Sequence, residues 1–165
     1  MRESKITISF IHQPEDSNFD KNDAKAFSNI KKARSLVEGI KGLRFQIMVR
    51  KEDVNMVYVE FSKVDYDGDI GSFILYNDDS FGREKCFQIQ DFEIEKEFRG
   101  NGIATYVMKR IAQNAKKCGM YLYTETLRSN VPMWNVLYKA GFSRCGIMRF
   151  PKGDLQLFEL VPTTE

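Results

Sequence analysis

The amino-acid sequence predicts an α/β fold, in which strands and helices alternate along one chain of 165 residues. Short runs of alternating apolar and polar residues, such as 5–11, are typical of strands. A second observation is a set of apolar residues that recur every four positions and would line one side of a helix, namely Ile103, Val107, Ile111 and Ala115. Strands are predicted on both sides of this helix, and a right-handed crossover is the default connection for that order.

The other elements follow from the same two periodicities. Helices are predicted over 23–38 and 102–117, and a shorter third helix starts after Asn130. Each is followed by a glycine that can end it, namely Gly39, Gly119 and Gly141. Strands are predicted at 5–11, 43–50, 54–61, 70–76, 86–94, 121–127, 142–150 and 155–160. No internal repeat or linker interrupts this order, so residues 1–165 are expected to form a single domain.

Composition narrows the classes of protein to consider. Hydrophobic residues make up 42% of the chain, which excludes a disordered protein. The net charge is only +2 and no basic stripe is evident, which argues against nucleic-acid binding. No apolar run reaches the roughly 18 residues of a membrane span, and the N-terminal apolar stretch is too short for a signal peptide. A cytoplasmic protein without a membrane partner is therefore expected.

The cysteines and the single histidine indicate no redox or metal chemistry. Cys86, Cys118 and Cys145 are odd in number and lack CxxC spacing, so they are expected to be reduced thiols. His12 lies far from all three in sequence, so a surface or strand-end histidine is favoured over a nucleophilic Cys/His pair. Without a His/Cys cluster, no metal site is predicted.

The turn at residues 98–104 is the most informative stretch. It joins a predicted strand to a predicted helix, so backbone N–H groups and the positive end of the helix dipole meet there, which suits a phosphate. A P-loop is excluded because Ile103, and not lysine, follows Gly102. A dinucleotide loop is excluded because position 105 is Thr. A tight turn before a core helix is the simplest alternative.

A third phosphate pattern, R-x-x-G-x-G/A, fits as Arg99, Gly102 and Ala104. It resembles the pyrophosphate loop of the GNAT superfamily of acyl-CoA N-acyltransferases. The segment before it, from Ile94 to Arg99, is similar to the family's V-x-P-E-Y-R, with Lys96 replacing proline.

A second motif lies downstream of the loop. Asn130 is followed 12 residues later by Phe142, which comes directly after Gly141. This is similar to the family's Asn, short helix and Gly-Phe. The motifs span roughly residues 86–150. The resemblance implies the GNAT fold, with a central, twisted, mostly antiparallel sheet of about seven strands flanked by helices.

The resemblance also implies a site for acetyl-CoA as co-substrate. Backbone groups of residues 92–94 would bond the pantetheine arm like an added strand, and amides of residues 99–105 would hold the pyrophosphate. The Asn130 side chain would contact the thiol end, cap the third helix, or do both. The implied cofactor-binding residues are Phe92, Glu93, Ile94, Arg99, Gly100, Asn101, Gly102, Ile103, Ala104, Thr105 and Asn130.

The implied general acid departs from the family pattern. The family often has a tyrosine five residues before the Phe of Gly-Phe, where it protonates the leaving thiolate. That position is Leu137 here, and Tyr138 is the next residue. Tyr138 is the candidate acid, and protonation by water is the alternative.

Carboxylates on the strands that flank the cofactor are candidates for the general base, because acetyl transfer needs a neutral amine. The candidates are Glu93 and Glu125, together with Asp91. Strand alternation puts Asp91 and Glu93 on one face. The N–H of Ile94 is the expected donor to the thioester oxygen.

The sequence thus predicts an N-acetyltransferase that joins acetyl-CoA and a primary amine in a ternary complex, without a covalent acyl-enzyme. A non-catalytic acyl-CoA-binding module, or a subunit that needs a partner, is the alternative, and Leu137 is the feature that supports it. An enzyme acting on a protein or tRNA is a third possibility, with the low net charge against tRNA. The acceptor has no motif, and a homodimer is possible.

Overall fold

The computed structural model describes residues 5–11, 21–77 and 85–162, so His12 lies outside the described residues. The described ranges contain three α-helices: α1 (Lys21–Val37), α2 (Ile103–Lys117) and α3 (Val131–Ala140). They also contain eight strands: β1 (Lys5–Ile11), β2 (Leu43–Arg50), β3 (Asp53–Lys63), β4 (Gly71–Tyr76), β5 (Cys86–Ile94), β6 (Tyr121–Leu127), β7 (Ser143–Met148) and β8 (Leu155–Leu160).

The eight strands form one sheet in the order β1-β2-β3-β4-β5-β6-β8-β7. Only the β1–β2 and β5–β6 pairs are parallel, and the other neighbours are antiparallel. The predicted mixed, mostly antiparallel sheet with flanking helices is therefore confirmed. The described residues contain the eight strands that periodicity predicts, whereas the family resemblance implied about seven.

All three helices pack on the same side of the sheet, which we call the helix face. Ile47, Val59 and Phe73 are directly opposite one another in register, so their side chains share this face, and all are buried. Helical side chains join the same buried cluster, including Leu36 of α1 and Ile111 of α2. Burying each such side chain stabilises the fold by roughly 1.5–3 kcal/mol.

Two residues of α2 form hydrogen bonds with the backbone at the end of α1 and in the loop that follows it. The Tyr106 hydroxyl donates to the backbone carbonyl of Lys41 at 2.9 Å. The Asn114 side-chain amide donates to the carbonyls of Leu36 and Glu38, at 2.8 and 2.9 Å. Carbonyls at a helix C-terminus lack intrahelical partners, so Asn114 supplies what the end of α1 needs.

A β-bulge interrupts β5 just before its end. Ser72 pairs with Glu93 and Ile74 with Gln90, so two residues of β5 face one residue of β4. Asp91, one of the two, has a φ of 51°, which Asp tolerates better than most residues. The bulge breaks the simple alternation predicted for this strand at Asp91.

Gly71 allows β4 to approach its neighbours at the level of the bulge. A Cβ atom at this position would lie 2.3 Å from Cζ of Phe61 and 2.9 Å from the carbonyl oxygen of Glu93. Both distances are shorter than van der Waals contact, and the Glu93 atom belongs to the backbone of the strand that leads to the glycine turn.

Gly71→Ala is therefore expected to lower the free energy of unfolding by about 1–3 kcal/mol, through overpacking. Urea denaturation measures the loss. Gly146→Ala is the matched control, because its Cβ would lie 3.4 Å from Cδ1 of Leu157 in another strand of the same sheet. Equal losses in the two variants would contradict the proposed close approach at Gly71.

Candidate functional site

The parallel strands β5 and β6 separate part-way along their length. They pair from Cys86 opposite Tyr121 to Ile89 opposite Thr124, and no further. Beyond this point β5 continues along β4, and β6 continues along β8. A cleft therefore opens at the carboxyl ends of two parallel strands, where open α/β sheets commonly bind ligands.

A cavity of about 540 Å³ occupies the helix face of this cleft, between the end of β5, the start of α2 and the start of α3. Ten of the eleven predicted cofactor-binding residues line it. The exception is Asn101, whose side-chain amide instead donates to the carbonyl of Phe98 at 3.3 Å. The sequence prediction missed further lining residues, namely Phe98, Pro132, Met133 and Val136.

The two glycines of the turn create an anion-binding cradle at the end of this cavity. Gly100 and Gly102 have φ angles of 81° and 76°, and a Cβ at either position would meet nothing within 4 Å. The first hydrogen bond of α2 runs from the N–H of Tyr106 to the carbonyl of Gly102. The N–H groups of residues 103–105 precede it, so they lack intrahelical partners and can bind a diphosphate.

The Arg99 side chain connects the glycine turn to the end of β5. Its Nε donates to the carbonyl of Ile94 at 2.8 Å, and its guanidinium lies 3.6 Å from a carboxylate oxygen of Glu93. Both side chains of the ion pair are more than half exposed, so the pair itself adds little stability. The chief effect of Arg99 is to position the turn and to leave a positive charge beside the cradle.

The N–H of Ile94 points into the cleft. The N–H of Glu95 donates to the carbonyl of Ile70, the residue just before β4. Successive N–H groups of a strand point to opposite edges, so that of Ile94 is directed away from β4. The N–H of Ile94 therefore faces the gap between β5 and β6.

Asn130 begins α3 at the rim of the same cavity. Its side-chain oxygen accepts a hydrogen bond from the N–H of Met133 at 3.3 Å, as a helix N-cap does. Its capping role is thus seen directly, while contact with a cofactor stays a prediction.

The family model that describes the Acetyltransferase (GNAT) family matches residues 32–142, which is more than half of the chain. The chain belongs to the GNAT acetyltransferase family. The match includes the glycine turn, both diverging strands and α3. No curated protein sequence matches the chain.

Solved acetyltransferase structures share the GNAT fold with this chain at low sequence identity. An IAA acetyltransferase from Bacillus cereus ATCC 14579 has 20% identity and a TM-score of 0.55, over 65% of this chain and 78% of that one. A variant of the spermidine N-acetyltransferase SpeG from Vibrio cholerae has 14% identity and a TM-score of 0.56, over 66% of each chain. RimL, a ribosomal L7/L12 α-N-protein acetyltransferase in complex with coenzyme A, has 12% identity and a TM-score of 0.56, over 66% of this chain and 63% of that one.

Leu137 and Tyr138 have different environments in this GNAT chain. Leu137 is fully buried, whereas Tyr138 is 45% exposed and its ring makes edge contacts with Trp134 and Phe158. Cavity-lining residues of α3 include Val136, and Tyr138 lies about 200° from it around the helix. The structure therefore does not bring Tyr138 into the cavity, and its role as acid stays a prediction.

The three predicted carboxylates lie on the sheet face opposite the helices. Glu125 and Asp91 line a second, smaller cavity of about 200 Å³, at the point where β5 and β6 separate. Glu93 also projects to this side, because the preceding Phe92 packs against Phe73 on the helix face. The carboxylates and the cofactor-sized cavity thus flank the cleft from opposite faces.

Glu60 and Asp69 form a carboxyl pair that the sequence prediction missed. Glu60 is directly opposite Ser72, which is directly opposite Glu93, so the three lie in a row across β3, β4 and β5. Burial raises the pKa of Glu60, and the hydrogen bond that its protonated carboxyl donates to Asp69, together with the negative charge of Asp69, raises the pKa further. No sequence signal marks this pair, because sheet register creates it.

The described residues contain no group of three or more His, Cys, Asp and Glu side chains that could hold a metal ion. None of their helices has the length and apolar composition needed to cross a membrane. Of the cysteines, Cys86 is buried and Cys145 is exposed, and neither lines the cofactor-sized cavity.

Glu60→Gln is expected to raise stability at neutral pH. A carboxyl group whose pKa is raised by folding binds its proton more tightly in the folded state, so stability falls as the pH rises from the ordinary glutamate pKa of 4.5 through the raised pKa. Thermal unfolding from pH 4 to pH 8 measures the effect. The variant should melt above the wild type at pH 8 and near it at pH 4; a constant difference would contradict the assignment.

Gly102→Glu is expected to abolish coenzyme A binding, because the new side chain places bulk and negative charge in the anion cradle. Isothermal titration calorimetry measures the affinity. Gly39→Glu is the matched control, since Gly39 has a φ of 73°, follows a helix and has nothing near a Cβ atom. Unchanged affinity of Gly102→Glu, or equal losses in both variants, would contradict the cradle.

Proposed function

We propose that this GNAT chain transfers the acetyl group of acetyl-CoA to a primary amine by direct attack in a ternary complex. The observation that carries the proposal is one cavity that runs from the glycine turn at the start of α2 to the gap between β5 and β6. Such a cavity can bind a diphosphate at one end while it presents a strand edge at the other.

The chain's backbone supplies most of the proposed cofactor contacts. N–H groups of residues 99–105 hold the pyrophosphate, and the outward edge of residues 92–94 pairs with the pantetheine arm as an added strand would. Asn130 contacts the thiol end from the rim of α3. Apolar walls from Met133 and Val136 exclude water from the thioester.

Acetyl transfer then needs one oxyanion donor and two proton transfers. The amine nitrogen attacks the thioester carbonyl carbon, the C–S bond breaks with its electron pair on sulfur, and an amide forms. The N–H of Ile94, aimed into the gap, stabilises the negative charge that develops on the carbonyl oxygen. The nitrogen loses a proton, and the thiolate gains one.

The proton acceptor is proposed to come from the face opposite the helices. Glu125 lines the cavity at the separation of β5 and β6, and Glu93 lies at the end of β5. Either carboxylate, or a water molecule that it orders, takes the proton from the amine. The same negative charges, together with Glu60 and Asp69, favour an acceptor that carries positive charge.

The decisive experiment measures thiol release from acetyl-CoA with a panel of amines, and identifies the products by mass spectrometry. Small polyamines, aminoglycosides, amino acids and lysine peptides are included. Thiol release that depends on one amine class, and that Gly102→Glu abolishes, supports the proposal.

A non-catalytic acyl-CoA-binding module is the second candidate function. Leu137, fully buried where the family often has tyrosine, favours it. Measurable coenzyme A binding without turnover on any amine would support the module and contradict the enzyme.

Tyr138→Phe tests the predicted general acid. If the hydroxyl protonates the thiolate, the variant is expected to turn over about 10²-fold more slowly, with an unchanged affinity for coenzyme A. Tyr58→Phe is the matched control, because it removes a half-buried hydroxyl from β3, away from the cleft. Rates within about twofold of the wild type for both variants assign the proton to water.

A further inference from the structure

The point at which β5 and β6 separate is held by a side chain as well as by the backbone. Thr124 of β6 is directly opposite Ile89 of β5 in the last pair of this parallel ladder. The Thr124 hydroxyl donates a hydrogen bond to the carbonyl of Ile89 at 2.8 Å, and the residue is only 3% exposed. A carbonyl has two lone pairs, so it can accept this bond alongside one from a backbone N–H. We call this last pair, Ile89 and Thr124, the vertex of the cleft.

The surroundings of Thr124 leave its hydroxyl little freedom. Thr124 is directly opposite Phe158 of β8, whose ring makes an edge contact with Trp134 of α3, so Thr124 lies on the helix face. Two heavy atoms on Cβ restrict χ1 of threonine, and a buried hydroxyl requires a hydrogen-bond partner. The strands can therefore move apart at the vertex only by leaving a buried hydroxyl unpaired, which is unfavourable.

The two groups proposed to act on the thioester and on the amine lie beyond the vertex, on different strands. Glu125 is the next residue of β6 and faces the other side of the sheet, and Ile94 is the last residue of β5. Their separation therefore depends on where the two strands part. A shift of the vertex by one residue would move Glu125 by about 3.3 Å relative to β5. A misplacement of about 1 Å can slow a reaction by about 10²-fold.

We propose that Thr124 is a positioning residue for acetyl transfer: its hydroxyl fixes the vertex, and thereby the distance between the Ile94 N–H and the Glu125 carboxylate. The inference rests on the function proposed above. Thr124 lines neither the cofactor-sized cavity nor the smaller cavity beside Glu125, so it acts through the backbones of β5 and β6. Loss of the hydroxyl should slow the chemical step and leave cofactor binding intact, because the anion cradle belongs to the turn that follows β5.

The test compares Thr124→Val, which removes the hydroxyl and keeps the shape of the side chain, with Thr124→Ser, which keeps the hydroxyl. With the best acceptor of the amine panel, kcat for thiol release should fall about tenfold in Thr124→Val and stay within about threefold of the wild type in Thr124→Ser. Calorimetric titration with coenzyme A should give affinities within about twofold of the wild type for both variants, which also shows that they are folded.

Thr126→Val is the matched control. Thr126 is also buried and lies on the same face of β6, two positions beyond Thr124. The variant removes the same hydroxyl group without touching the vertex, so it should keep the wild-type kcat.

Hydrogen–deuterium exchange of the full chain measures the vertex directly and needs no substrate. Backbone N–H groups of residues 86–89 and 121–125 should exchange about fivefold faster in Thr124→Val, as expected for the loss of one net hydrogen bond. The exchange of residues 43–50 should stay unchanged, because β3 and β4 lie between β2 and the vertex.

Three outcomes would overturn the inference while leaving the proposed function intact: a wild-type kcat in Thr124→Val, an equal loss of kcat in Thr124→Ser or Thr126→Val, or unchanged exchange at the vertex. A loss of coenzyme A affinity as large as the loss of kcat would also overturn it, because Thr124 would then support the fold as a whole. Wild-type protein that releases no thiol with any amine would overturn the proposed function and this inference together.

Discussion

The early end of the β5–β6 pairing is the constraint on which the rest of the site depends. Backbone N–H and C=O groups in a sheet need partners, and a strand that leaves its neighbour exposes one edge. β5 keeps β4 on its other side, and β6 keeps β8, so both strands remain part of the sheet after they separate. The exposed inner edges are then available to a ligand, and α2 and α3 close the helix face of the gap.

The position of the glycine turn could be predicted from the sequence because its signals are local. Gly100 and Gly102 precede an amphipathic helix, and backbone conformations with positive φ favour glycine whatever the tertiary context. The strands, the three helices and their glycine ends follow from periodicity and turn chemistry in the same way. Asn130 and the Gly141-Phe142 pair then indicated the family, because their spacing reflects the length of α3.

Features set by register or helix phase could not be predicted. The bulge at Asp91 depends on how β5 aligns with β4, and the Glu60–Asp69 pair depends on contacts across the β3–β4 connection. The direction of the Tyr138 side chain depends on its position around α3, where a shift of one residue is a rotation of about 100°. That rotation determines whether the ring faces the cleft or contacts Trp134, as it does here. Such features come from the assembled sheet, and no short motif encodes them.

The fastening of α2 to α1 has a consequence for how tightly a ligand can be held. Tyr106 and Asn114 are eight residues apart on α2, and each bonds the chain at the end of α1. Two attachment points along α2 restrict both translation and rotation of this helix. The backbone N–H groups at its N-terminus are therefore already oriented before an anion binds. Binding then requires little further ordering of the protein, which removes one of the free-energy costs that normally lower affinity.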